Sequence, residues 1–297
     1  MNVRGVFPPI PTPFVDDRID RVALSANVKQ WMRTRLSGIV ALGSNGEAPL
    51  LDEGEAEAAI STVRDAMPRD RLLIVGTGRE STAATIAATR RAAELGADMV
   101  LVRTPSFFKN VMTSDAFVQH YTAVADAASV PVLLYNVTMY TGVNLLPDAV
   151  VRLADHQNIL GMKESGGDIA QIAECVARTP DRFDVLAGSA TTVFAALCVG
   201  AAGAVLALSA VLPDLCVELV ELVQQGRYDE ARSLQRRLTP LARLLGSAHG
   251  VPGLKYALDQ IGYRGGPVRG PLLPLSAEAS RQISEQLAAL GVMVRRA

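Results

Sequence analysis

The sequence predicts an α/β fold, a (β/α)8 TIM barrel with a C-terminal helical extension, and three features predict it. Short apolar runs alternate with segments of helical period eight times over about the first 225 residues. The runs show little polar alternation, as expected of strands covered on both faces. No G-x-G-x-x-G follows the first run, which disfavours the runner-up, a doubly wound open sheet.

The strand-like runs are Val6–Ile10, Gly38–Gly43, Arg71–Gly76, Asp98–Thr104, Pro131–Val137, Ile159–Lys163, Phe183–Ala187 and Ala202–Leu208. Helix-period segments separate them: Val22–Thr34, Glu53–Ala66, Ser81–Leu95, Ser114–Ala128, Pro147–Leu153, Asp168–Arg178, Thr191–Val199 and Pro213–Gln225. Ser81 and Asp168 can cap their helices, Pro147 suits a first helical position, and Gly96 and Gly226 read as C-terminal stops. Residues 1–225 are therefore expected to form the barrel. Residues 226–297 are expected to pack on it as helices Tyr228–Leu245, Leu254–Ile261 and Ala277–Leu290, with the Gly/Pro-rich Gly262–Pro267 between the last two.

Composition excludes several classes. The chain has 297 residues, 49% of them hydrophobic, and a net charge of −1. That is ample for a large core and offers no basic block for nucleic acid or an acidic membrane surface. Cys175, Cys198 and Cys216 are scattered and form no CxxC, so disulfides and zinc are not expected. His120, His156 and His249 are equally scattered, and no metal or other cofactor is expected. The N-terminus does not read as a signal peptide. Val193–Leu212 is long and apolar enough to span a bilayer, but Gly200 and Gly203 divide it into a buried helix and a buried strand. A soluble, cytoplasmic protein without membrane contact is expected.

Catalytic groups of such barrels lie at the C-terminal ends of the strands. Strand six ends in Lys163, strand five carries Tyr135, strand four ends in Arg103, and strand two runs into Gly43-Ser44-Asn45-Gly46. Burial disfavours an ammonium ion, and the neutral amine is a nucleophile. Two glycines let a turn curl so that N–H groups converge on an anion, with Ser44 and Asn45 adding side-chain groups. A phenol beside a lysine can pass a proton. Each feature has a plainer account. Lys163 could snorkel or pair with Glu164, the turn could be an ordinary loop, and Tyr135 could be a core residue. Together they describe a site for a small 2-oxo acid. The turn would hold its carboxylate while Lys163 forms an imine with its keto carbon. Gly46, Ser165, Gly188, Val205, Tyr140 and Arg103 complete the predicted substrate-binding set.

The chain resembles the dihydrodipicolinate synthase / N-acetylneuraminate lyase superfamily of pyruvate-dependent class I aldolases. The resemblance rests on Gly43-Ser-Asn-Gly-Glu47, Tyr135-Asn136, Gly161-Met-Lys-Glu-Ser-Gly-Gly-Asp168 and Val185-Leu-Ala-Gly-Ser189, in that order. It implies Lys163 as the imine-forming residue, Tyr135 as proton shuttle, Ser44 and Asn45 as carboxylate binders, and a homotetramer built from dimers. Gly43–Glu47, Ala187–Ser189 and Gly250–Lys255, with Gly262–Pro267, point, within it, to 4-hydroxy-2-oxoglutarate aldolases. The alternatives are dihydrodipicolinate synthase (4-hydroxy-tetrahydrodipicolinate synthase) and a sugar-acid aldolase or dehydratase. A 2-oxo acid sensor without turnover is the non-enzyme alternative. Two positions depart from the resemblance. Tyr140 stands where synthases carry an arginine for the second substrate's carboxylate, so Arg103 becomes the candidate for that role. Phe107 stands where a relay tyrosine is usual, leaving Ser106 or Tyr140 to supply a hydroxyl.

Overall fold

The computed structural model describes residues 3–292, so residues 1–2 and 293–297 of the two predicted segments lie outside it. Eight parallel strands form the barrel: β1 (Gly5–Phe7), β2 (Gly38–Ala41), β3 (Leu72–Gly76), β4 (Met99–Arg103), β5 (Val132–Asn136), β6 (Ile159–Glu164), β7 (Asp184–Ala187) and β8 (Gly203–Val205). Neighbours in sequence are neighbours in the sheet, and β1 also pairs with β8. The seam between β1 and β2 closes just beyond β1. There Val40 N–H donates to Pro8 O at 2.9 Å and Ile10 N–H to Val40 O at 3.0 Å. β1 stops at Phe7 rather than Ile10 because Pro8 and Pro9 have no N–H for a ladder.

The longer helices between the strands are α1 (Arg21–Trp31), α2 (Glu53–Ala66), α3 (Thr82–Glu94), α4 (Ser114–Ala127), α5 (Pro147–Ala154), α6 (Ile169–Arg178) and α7 (Val193–Cys198), with a single helical turn Thr138–Thr141 after β5; the turn Leu208–Val211 and then α8 (Pro213–Gln224) follow β8. Ser81 caps α3 and Asp168 caps α6 as expected, each accepting backbone N–H bonds. The extension consists of α9 (Tyr228–Arg243), a π-helical turn Leu244–Ala248, α10 (Gly250–Gln260) and α11 (Ala277–Ala289). One feature had no counterpart in the sequence reading. Phe14–Val15 and Arg18–Ile19 form a hairpin whose two turn residues, Asp16 and Asp17, have φ of 49° and 57°. Aspartate tolerates that left-handed region better than most residues, and two such residues fit the twist of a tight hairpin.

Strand alternation divides the core into two layers. Phe7, Val40, Ile74, Leu101, Leu133 and Leu186 fill the inside of the barrel. Residues between them along the strands, such as Leu73, Val100 and Leu134, meet the surrounding helices. Trp31 is fully buried in that outer layer, donates to Ala210 O at 2.8 Å and stacks on Tyr263 of the extension.

One buried titratable group sets a pH dependence of stability. His120 on α4 is 6% exposed, with Nδ1 2.9 Å from Thr82 Oγ1 and no partner at Nε2 among the described residues. Burial pulls its pKa from 6.5 to about 4. The unfolded chain therefore takes up a proton on this histidine first as pH falls. The stability is whole above pH 6.5 and is lost progressively towards pH 4, by about 2 kcal/mol at pH 5. Urea unfolding at pH 7.5 and 5.0 should show this loss, and His120→Gln should reduce the difference by that amount.

Candidate active site

β5 and β6 are adjacent, and Tyr135 lies directly across from Lys163 in their register. Both side chains point into the barrel and both are buried, 5% and 4% exposed. Lys163 Nζ sits 4.3 Å from the centroid of the Tyr135 ring, so the phenol face shelters the amine. Lys163 does not pair with Glu164. Adjacent residues of a strand face opposite sides, and Glu164 points out among the helices. There it accepts from Asn136 Nδ2 at 2.6 Å, from Gln171 Nε2 at 2.9 Å and from Gly166 N–H. Among the described residues no cation faces that carboxylate, and burial pushes its pKa up.

Tyr135 Oη lies 3.3 Å from Ser44 Oγ, which joins the lysine to the turn after β2. Ser44–Gly46 form one turn of 3-10 helix. Gly46 N–H donates to Gly43 O and Glu47 N–H to Ser44 O. The first N–H groups of a helical turn have no partner within it, so those of Ser44 and Asn45 remain. The glycines work differently from the expectation. Gly43 has an ordinary φ of −79°, and the left-handed residues are Leu42 and Glu47, at 54° and 55°. Gly46 is not on the cavity wall. Its N–H closes the turn and its carbonyl accepts from Thr12 Oγ1 at 2.7 Å, so its part is to shape the turn.

These groups bound a cavity of about 140 Å³ at the C-terminal end of the barrel. Lys163, Tyr135, Ser44 and Asn45 line it together with Ser165, Gly188, Val205 and Tyr140. Ser165 Oγ is buried without a partner among the described residues. A Cβ on Gly188 would lie 1.9 Å from that oxygen, so only glycine leaves Ser165 its place. The extension also reaches the cavity through Leu245, Gly246 and Ser247 of the π-helical turn, which the sequence reading did not include. Its signal was faint: Gly246-Ser247 interrupts an otherwise helical pattern, and π-turns occur often at functional sites.

A wider vestibule of about 580 Å³ opens above this cavity, with Tyr140 and Ser44 on the walls of both. Arg103 lies on the vestibule wall and not on the inner cavity. Its Nη1 donates to Glu80 Oε1 at 2.8 Å, and Glu80 Oε2 accepts from Ser106 N–H and Phe107 N–H, each at 2.8 Å. Phe107 is 77% exposed and lines neither space, while Ser106 lines the vestibule alone. Tyr140 is thus the one hydroxyl of the two expected substitutes that borders the inner cavity. Among the described residues no group of three or more His, Cys, Asp or Glu side chains could hold a metal ion, and no helix is long and apolar enough to cross a membrane.

A barrel whose mouth holds a sheltered amine, a phenol and a turn with two N–H groups left over has the parts of a lysine-dependent carbonyl lyase. Comparison with known proteins narrows the class. The dihydrodipicolinate synthetase family model matches residues 2–290, and the chain belongs to that family. It is 36% identical over 286 residues to the 4-hydroxy-tetrahydrodipicolinate synthase of Methanothrix thermoacetophila, covering 96% of each chain. It superposes on the 4-hydroxy-tetrahydrodipicolinate synthase structure from Methylacidiphilum fumariolicum with a TM-score of 0.93 at 32% identity, covering 98% of this chain and 96% of that one. The Thermotoga maritima dihydrodipicolinate synthase gives 0.94, also at 32% identity, covering 98% and 99%. Enzymes of the family are carbon–carbon lyases that act through a lysine Schiff base with pyruvate.

Proposed function

We propose that Lys163 forms the imine with pyruvate, and the observation that carries this is its register with Tyr135, 3.3 Å from Ser44. The amine attacks the keto carbon and a C–N bond forms. The former carbonyl oxygen leaves as water, protonated through Tyr135. The protonated imine then withdraws electrons from C3, which loses a proton to become an enamine carbon. The N–H groups of Ser44 and Asn45 and the orphan hydroxyl of Ser165 hold the carboxylate. Attack of the enamine on an aldehyde forms the new C–C bond, and hydrolysis of the imine returns the lysine. The reverse sequence is retro-aldol cleavage.

For the second substrate, the relatives' names support 4-hydroxy-tetrahydrodipicolinate synthase, with aspartate semialdehyde as acceptor, over 4-hydroxy-2-oxoglutarate aldolase. We adopt the synthase reading. Its far carboxylate needs a cation, and Arg103 is the arginine on the vestibule wall. A second reading, a sugar-acid aldolase, is favoured by one observation. Glu80 already neutralises Arg103, and Tyr140, Thr141, Ser106 and Ser247 offer hydroxyls around the same space. Arg103→Ala separates the two. Under the synthase reading it should raise KM for aspartate semialdehyde about tenfold or more, the loss of a charge-assisted hydrogen bond. Borohydride trapping with pyruvate should be unaffected. An unchanged KM, with turnover of polyhydroxy aldehydes, would select the second reading. The proposal includes a cytoplasmic homotetramer, with no nucleic-acid or membrane partner. Exposed Phe107, Phe108 and Val111 beside the mouth support a subunit contact there.

A further inference from the structure

A buried ion pair lies directly behind the carboxylate-binding turn. Glu47, the residue after Gly46, has a fully buried carboxylate, and Lys255 Nζ of α10 meets its Oε1 at 2.5 Å. Glu47 Oε2 accepts from Arg269 N–H at 2.8 Å. Lys255 also donates to Pro267 O at 2.7 Å and stands 4.4 Å over the Phe14 ring. The turn is therefore tied to three remote parts of the chain: α10, the loop after it and the first strand of the hairpin. Burial pulls the Lys255 pKa down while the carboxylate beside it pushes it back.

Stability alone is a poor account of this pair. Two charges lose their hydration here, and an apolar pair of similar volume often serves a fold as well or better. The pair also holds Glu47 at φ 55°, a left-handed conformation that glutamate rarely adopts and that the surroundings must impose. That conformation closes the turn through Glu47 N–H to Ser44 O. It thereby fixes where the Ser44 and Asn45 N–H groups aim. We propose that Glu47 and Lys255 are positioning residues, which hold the Ser44–Gly46 turn in register for the substrate carboxylate and make the C-terminal extension a working part of the site. This inference rests on the reading of that turn as the pyruvate carboxylate site.

The test is the double variant Glu47→Gly/Lys255→Met. Glycine adopts the left-handed conformation without strain, so the backbone can keep its shape while the anchor is gone. Methionine fills the lysine's space without charge. Because the carboxylate is held alike in ground and transition states, its loss falls on binding. KM for pyruvate should rise tenfold or more with kcat within about threefold, and borohydride at saturating pyruvate should still modify Lys163. A folded double variant with KM within twofold of the unaltered protein overturns the proposal, since the backbone alone would then suffice. If the double variant does not fold, Glu47→Asp keeps the charge but shortens its reach by one methylene. A several-fold rise in KM is expected there in the folded enzyme, and an unchanged KM is equally fatal. Failure of the unaltered protein to be trapped at all would instead sink the imine reading itself.

Discussion

Lys163→Ala should abolish borohydride trapping of pyruvate and lower kcat/KM by roughly 10⁴-fold or more, because no other group can form the covalent intermediate. The chain has four lysines. Lys29 and Lys109 are exposed, with no enclosing cavity. Lys255 is buried against Glu47, so its amine is already held by an ion pair and a carbonyl oxygen. Lys163 alone borders the inner cavity. Peptide mapping after reduction should place the pyruvate-derived mass on the peptide containing Lys163, and on no other. The substitution should leave the barrel intact, since Tyr135 and the apolar inner layer of Leu133, Leu186 and Val205 remain. Trapping that persists in Lys163→Ala at the unaltered rate would end the assignment. Loss of trapping together with loss of the folded state would be resolved by Lys163→Met, which keeps the volume and the apolar contact with the Tyr135 ring.

The parts of the site that were legible in the sequence share a physical cause. A barrel strand has a period of two and a fixed polarity, so a lysine that ends an apolar run lies at the mouth, and its alternation with Glu164 sets it on the inward face. The same rule gives Tyr135 its place beside Lys163, through nothing more than adjacent strands in register. What was not legible depends on contacts between distant parts of the chain. The left-handed residues flanking the Ser44–Gly46 turn are Leu42 and Glu47, not Gly43 or Gly46. Glu47 is met by Lys255 and by the backbone N–H of Arg269, which no local pattern links to it. Arg103 shows the same limit. Its strand-end position was readable, but its capture by Glu80 requires the loop after β3, the preceding strand, to fold against it. The hairpin at Asp16-Asp17 escaped for another reason: two-residue strands have no periodicity to detect.

Tyr135→Phe should lower kcat by about 10²–10⁴-fold, the range a positioned proton donor typically contributes. Formation of the imine requires the hydroxyl of the carbinolamine to leave as water, and a proton must reach it within a buried cavity. Tyr135 is suited to deliver that proton because its ring faces the Lys163 amine while its hydroxyl touches Ser44 at 3.3 Å. Phenylalanine keeps the ring, and with it the 4.3 Å contact that shelters the amine. The substitution therefore removes the proton path and little else. Borohydride trapping should still reach completion with pyruvate, but slowly. The rate of trapping and kcat should fall together. Ser44→Ala should cost less in kcat, because Tyr135 then loses its neighbour and not its own hydroxyl, and the turn is closed by backbone bonds that the substitution leaves in place. If Tyr135→Phe keeps kcat within tenfold while Tyr140→Phe lowers it sharply, the proton travels through Tyr140, the other phenol that lines the cavity. Tyr135 would then serve only as the aromatic wall of the lysine.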